Sequence, residues 1–184
     1  MADPIIAPID DEWQNLSGLG AQISAWEAAA GARLPSPYRA FLLAYNGGAP
    51  YPNVFDVAMP DAIWGSTDKQ TFVEPLYDFA FAVSLYNGDT FGDGTPRPFF
   101  FIGCNPGGLE LLISLRPKDA GSIYCWQGTD VPWGTDTNTE AALHLQAKSF
   151  PDFIAALYDT PDTIGYDYWE SPRHKLLARP LTVG

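Results

Sequence analysis

Leu34-Pro35-Ser36-Pro37-Tyr38-Arg39-Ala40-Phe41-Leu42-Leu43-Ala44-Tyr45-Asn46-Gly47-Gly48 contains a helix together with its start and stop signals. Ser36 is the type of residue that accepts hydrogen bonds from the free N–H groups of a first turn, and Pro37 fits the first helical position. Tyr38, Phe41, Leu42 and Tyr45 recur at i, i+3, i+4 and i+7, so they share one face. Gly47 ends the run, because a glycine just past a helix takes the left-handed conformation at no steric cost, and Asn46 tolerates the same bend. The spacing predicts a helix over 37–46 with one large apolar face that must be covered.

The covering elements are sought on either side. Upstream, residues 22–32 have helical composition, and the first twenty residues, rich in Pro, Asp and Gly, read as an irregular arm tied down by Trp13 and Leu16. Downstream, Phe99 to Gly103 is a short apolar run. Leu109, Leu111, Ile113 and Leu115 alternate with Glu110, Leu112, Ser114 and Arg116, and Ser122 to Gln127 is rich in strand formers. Asn105-Pro106-Gly107-Gly108 and Lys118-Asp119-Ala120-Gly121 supply turns, which makes the three strands an antiparallel meander. Ser149 caps a last helix whose Phe150, Phe153, Ile154, Leu157 and Tyr158 face the core. Residues 49–98 are dense in Pro, Gly, Asp and aromatics without a sustained helical period, and read as short strands and long loops. The expectation is a single α+β domain spanning 1–184, with a central, mostly antiparallel sheet packed against N-terminal and C-terminal helices and a basic tail over 171–184.

The string Leu-Pro-x-x-Tyr-Arg-x-Phe-Leu-x-x-Tyr-Asn-Gly-Gly at 34–48 resembles the signature of the SUKH superfamily, the SMI/KNR-type proteins. Ile23 to Gly31 is similar to that family's first helix. Phe101-Ile102-Gly103, Gly108 to Leu112 and Gly121 to Trp126 resemble its central strands, and Ala147 to Leu157 its closing helix. The resemblance covers about 22 to 158 in four ordered blocks. It implies the α+β fold and a role without catalysis: bacterial members act as immunity proteins that bind and neutralise a cognate toxin, often a nuclease or deaminase, whereas fungal relatives suggest a regulatory scaffold. Pro35, Tyr38, Phe41, Asn46 and Gly47 each have a sufficient capping or packing reason, so the motif marks ancestry more than a site.

Charge is the second informative feature, with 22 acidic against 10 basic side chains and a net charge of −12. Phosphate backbones and anionic membranes select clustered Lys and Arg, so neither nucleic acid nor membrane is an expected partner and a basic protein is. Solubility alone also accounts for an acidic surface. No run approaches the ~20 apolar residues of a membrane span, and the acidic, proline-rich start lacks the pattern of a signal peptide, which points to the cytoplasm. Cys104 and Cys125 read as reduced core residues, and His144 and His174 are not spaced with other ligands as a zinc set. No cofactor is expected.

Catalytic strings are missing from the sequence. Neither histidine sits in a nucleophile motif, no Gly-x-Ser-x-Gly occurs, and the glycine-rich stretches 91–95 and 103–108 lack the Gly-Lys-Ser/Thr ending of a phosphate loop. Asn87 to Gly94 superficially resembles a calcium loop, but Phe91 occupies a ligand position and the closing bidentate acid is absent. Asp10 and Asp11 have no apolar context to raise a pKa. What remains is a set of loop aromatics flanked by acids. Asp61, Trp64 and Asp68, then Asp89, Phe91 and Asp93, and finally Trp133 suit a basic partner, the rings anchoring and the charges steering. The expected function is a non-enzymatic immunity protein, monomeric or homodimeric, for a basic cognate toxin. The alternatives are a regulatory protein-binding scaffold of the same fold and a small-ligand or enzymatic module with a pocket under the middle loops.

Overall fold

The computed structural model describes residues 4–9, 16–160 and 177–183. In chain order the elements are β1 (Ile5–Ala7), α1 (Leu19–Ala30), α2 (Ser36–Tyr45), β2 (Ala49–Tyr51), β3 (Val54–Asp56), α3 (Asp61–Trp64), β4 (Gln70–Phe72), α4 (Phe79–Asn87), β5 (Phe99–Cys104), β6 (Leu109–Ser114), β7 (Ile123–Gln127), β8 (His144–Ala147), α5 (Phe150–Ala155) and β9 (Arg179–Pro180). The fold is α+β, and every strand pairing is antiparallel. The central sheet runs β5-β6-β7-β8, a three-stranded sheet runs β2-β1-β9, and β3 pairs with β4.

One face of the central sheet carries the helices. Phe100 is fully buried there, meeting Trp26 of α1 at 4.7 Å between ring centroids, Tyr86 of α4 at 6.0 Å and Tyr38 of α2 at 6.2 Å. The face of α2 that the spacing marks out, Tyr38, Phe41, Leu42 and Tyr45, is the buried one, and Phe41 packs on Phe150 of α5 at 4.9 Å. The opposite face of the sheet is closed by chain rather than by helix. Phe91 stacks on Phe101 at 5.8 Å and meets Trp126 edge-on at 5.0 Å, Trp133 meets Phe99 at 6.2 Å, and the Arg116 guanidinium lies 4.5 Å from the Phe99 ring. This double cover corrects the reading of β6. Glu110, Leu112 and Ser114 alternate with the apolar set as expected, yet all six residues of the strand are buried.

Other differences have local causes. Pro35, not Ser36, occupies the cap position of α2 and makes no side-chain cap bond, so Ser36 is the first helical residue and Pro37 lies in the first turn. At the far end Asn46 takes the left-handed conformation (φ 51°), followed by Gly47 (φ 86°). α1 starts at Leu19, ahead of the expected 22, after a left-handed Gly18. The arm is not irregular throughout, since Ile5–Ala7 is the middle strand of its sheet; three residues are too few to show a period. α4 interrupts the region read as strands and loops. Asp78 caps it by accepting from Phe81 N at 2.9 Å, and Phe79, Ala82, Leu85 and Tyr86 form its buried face. The meander has a fourth strand, β8, whose residues His144–Ala147 show no alternation strong enough to announce it. Ser149 does cap α5, accepting from Asp152 N at 3.1 Å, and Phe150, Phe153, Ile154 and Leu157 are buried as expected. Trp13, Asp10, Asp11 and most of the basic tail, His174 included, lie outside the described residues.

The sheets are joined at their edges. Beside β5, Glu74 N donates to Cys104 O at 2.8 Å and Tyr77 N to Ile102 O at 2.9 Å. Beside β8, the Gln146 amide spans the gap to the chain after β3: its Nε2 donates to Asp56 O and its Oε1 accepts from Ala58 N, both at 2.9 Å.

Candidate functional site

Asp61, Trp64 and Asp68 come together around α3. Pro60 and Gly65 bound this single turn, Gly65 at φ 82°. Asp61 pairs with Lys69 Nζ at 2.6 Å, and the same ammonium donates to Met59 O at 2.6 Å, which pins the turn to the chain entering β4. The half-buried Trp64 donates its Nε1–H to Asp68 O at 2.8 Å, and Asp68 Oδ1 accepts from Gln70 N at 3.0 Å. Both carboxylates stay exposed.

Asp89, Phe91, Asp93 and Trp133 form a second group. Phe91 is half-buried against the sheet, and it fits only because residue 128 is glycine: a Cβ there would stand 2.4 Å from the Phe91 ring. Trp133 N donates to Asp93 O at 2.8 Å, and its half-buried ring lies on Phe99, while the Asp89 and Asp93 side chains are exposed. The two aromatic residues of this group are therefore packed into the molecule along part of their surface, and the acids stand outside them.

A residue that sequence reasoning missed holds the loops of the second group against the central sheet. Asn138, 1% exposed, accepts from Trp126 Nε1 at 3.0 Å and donates from Nδ2 to Gly94 O and Val131 O, each at 2.7 Å. Nothing in the surrounding Asp-Thr-Asn-Thr distinguishes this asparagine in the sequence. With its amide so used, the loop 127–139 is held over Trp126, and a groove of about 490 Å³ opens between that loop and α3. Ile63 of α3, 45% exposed, lines it together with the buried Met59 and Trp126 and with Asp136, Thr137 and His144. Burial lowers the His144 pKa, and its Nε2 makes no hydrogen bond. Among the described residues no lysine or arginine lines the groove.

A second polar cluster is sealed inside. The Tyr77 hydroxyl donates to Glu110 Oε2 at 2.9 Å, and burial pushes Glu110 up to about 7 against the effect of that bond. Burial also pushes the thiols of Cys104 and Cys125 up to about 11 and about 12, so neither is a thiolate at neutral pH, and both cysteines are free. Among the described residues no three His, Cys, Asp or Glu side chains gather to hold a metal ion, and no helix is long and apolar enough to cross a membrane.

The sequence profile of the SMI1 / KNR4 family (SUKH-1) matches residues 20–156, a span that includes the Asn46-Gly47 junction. The chain belongs to this family. No match is found among curated proteins. The SUKH-1 span runs from α1 through α5 and takes in both acid–aromatic groups and the groove, while β1 and β9 lie outside it. The family includes immunity proteins and also members with other roles.

Proposed function

We propose that this SUKH-1 protein is a non-catalytic immunity protein acting in the cytoplasm. It binds a basic cognate toxin of nuclease or deaminase type and occupies the cleft that the toxin uses for nucleic acid. The observation that carries the reading is the exposed acid set, Asp61, Asp68, Asp89 and Asp93, held around partly packed aromatic side chains on a chain of net charge −12 within a family that includes immunity proteins. An enzyme that handles nucleic acid presents positive charge, and an acidic surface competes with phosphate for it while the rings supply contact area. Phe91 and Trp133 serve this surface from beneath, fixing the loops on which the acids stand.

The test is co-expression. The product of the neighbouring open reading frame is produced in a sensitive host with and without this protein, and survival is scored. Killing that is abolished only in the presence of this chain supports immunity, and replacing Asp61, Trp64, Asp89 and Asp93 together should reduce protection while the far-ultraviolet circular dichroism stays unchanged. A neighbour that is harmless, or that kills regardless, removes the reading and favours a regulatory scaffold.

A further inference from the structure

We infer that the groove between Ile63 and Asp136 is the anchor subsite of the partner interface, seating a segment that presents an apolar side chain next to an arginine or lysine. This inference rests on the toxin-binding reading above and adds Ile63, Asp136 and Thr137, which lie outside the acid–aromatic groups, to the residues that do the binding.

The groove itself argues for that occupant. Met59, 2% exposed, and Trp126, 1% exposed, close its base, and the apolar surface it offers comes from Ile63, which leaves 45% of its surface open, with Ala141 and Ala142. Most polar groups at its base are spent: Trp126 Nε1 donates to Asn138 Oδ1 and the Asn138 amide donates to Gly94 O and Val131 O, while the buried His144 Nε2 has no hydrogen-bond partner among the described residues. A ligand that needs polar pairing at depth finds little there, whereas an aliphatic or aromatic side chain displaces water without leaving a polar group unpaired. The mouth has the opposite character. Asp136 is held in the left-handed conformation (φ 46°) within a turn closed by the Thr135–Asn138 bridge, and it is exposed without an ion pair among the described residues. Asp130, on the same loop but outside the lining, is likewise exposed and without an ion pair among the described residues, whereas Asp61 on α3 is paired with Lys69. Open apolar surface at Ile63, the free Asp136 carboxylate and no lining cation among the described residues together complement a side-chain pair that is apolar at its tip and cationic beside it.

Size sets the role. A stable protein interface takes about 20–30 residues from each partner, more than the 13 that line the groove, so the groove is one anchor within a larger contact that continues onto Asp61 and Asp93.

The experiment uses the full-length protein and the toxin recovered by co-expression, rendered inactive for handling. Affinity is measured for Ile63→Glu, Asp136→Lys and Thr137→Trp, all at exposed positions, and for a charge control, Ala25→Lys with Ala29→Lys on the exposed face of α1. Each groove variant should weaken binding at least tenfold and the control less than threefold, with amide exchange of 127–139 slowed in the wild-type complex. If the groove variants bind within threefold of wild type and 127–139 exchanges as in the free protein while protection persists, the subsite is refuted and the immunity reading stands. If the neighbouring protein neither kills nor binds, the immunity reading fails and the subsite fails with it.

Discussion

Glu110 is a carboxyl group largely withdrawn from water. It is 7% exposed, lies between Cys104 on β5 and Trp126 on β7 in the strand register, and takes its one described hydrogen bond from Tyr77. Loss of hydration raises its pKa from the ordinary 4.5 to about 7. The consequence for stability follows from which state holds the proton. Between the two values the folded chain keeps a proton that the unfolded chain has released, so stability falls as pH rises through that window, by about 3 kcal/mol at most. Glu110→Gln retains an acceptor for Tyr77 and carries no charge at any pH. The urea midpoint of the wild type should drop between pH 5 and pH 8, and in Glu110→Gln that drop should be shallower, with the variant the more stable of the two at pH 8. An identical pH profile in both proteins would show that Glu110 is not desolvated.

At the scale of elements, the motif that marks the family turns out to be a docking joint. Asn46 Oδ1 accepts from Phe79 N at 2.9 Å, so the last residues of the motif cap the start of α4 in space as well as ending α2 in sequence. Gly47 lies against the same segment, where a Cβ would stand 2.6 Å from Asp78 N and 2.7 Å from Tyr77 O. Gly47→Ala therefore combines a disfavoured φ of 86° with a backbone collision, and should cost about 3 kcal/mol or more in urea unfolding. A loss below about 1 kcal/mol would mean that the helix end and α4 separate without penalty. This joint also shows where legibility stops. α2, the meander and α5 are readable because each has a period or cap within its own residues. The partner of Asn46 lies 33 residues away, as does that of Glu110, and α4 is overlooked because prolines, glycines and acids on both sides hide its short apolar face. The groove is less legible still. It depends on Asn138 bonding to Gly94 and on Gly128 making room for Phe91, both contacts between loops with no pattern of their own.

For the molecule as a whole, charge and shape act on different steps of association. A net charge of −12 produces a field that extends beyond any one contact and attracts a basic partner from about a Debye length, so its effect falls on the encounter rate. The groove acts only after contact, through apolar area and a locally exposed carboxylate, so its effect falls on the escape rate. Stopped-flow or surface-based kinetics separate the two. Raising ionic strength from about 0.02 M to about 0.5 M should slow association with the basic partner by about tenfold or more, with dissociation changing much less. Ile63→Glu should instead accelerate dissociation, and Ala25→Lys with Ala29→Lys, which changes the total charge away from the groove, should slow association mildly and leave dissociation alone. Association that ignores salt would mean that the acidic surface serves solubility alone. Dissociation that ignores Ile63 would move the anchor from the groove to the acids of α3 and of the loop around Phe91.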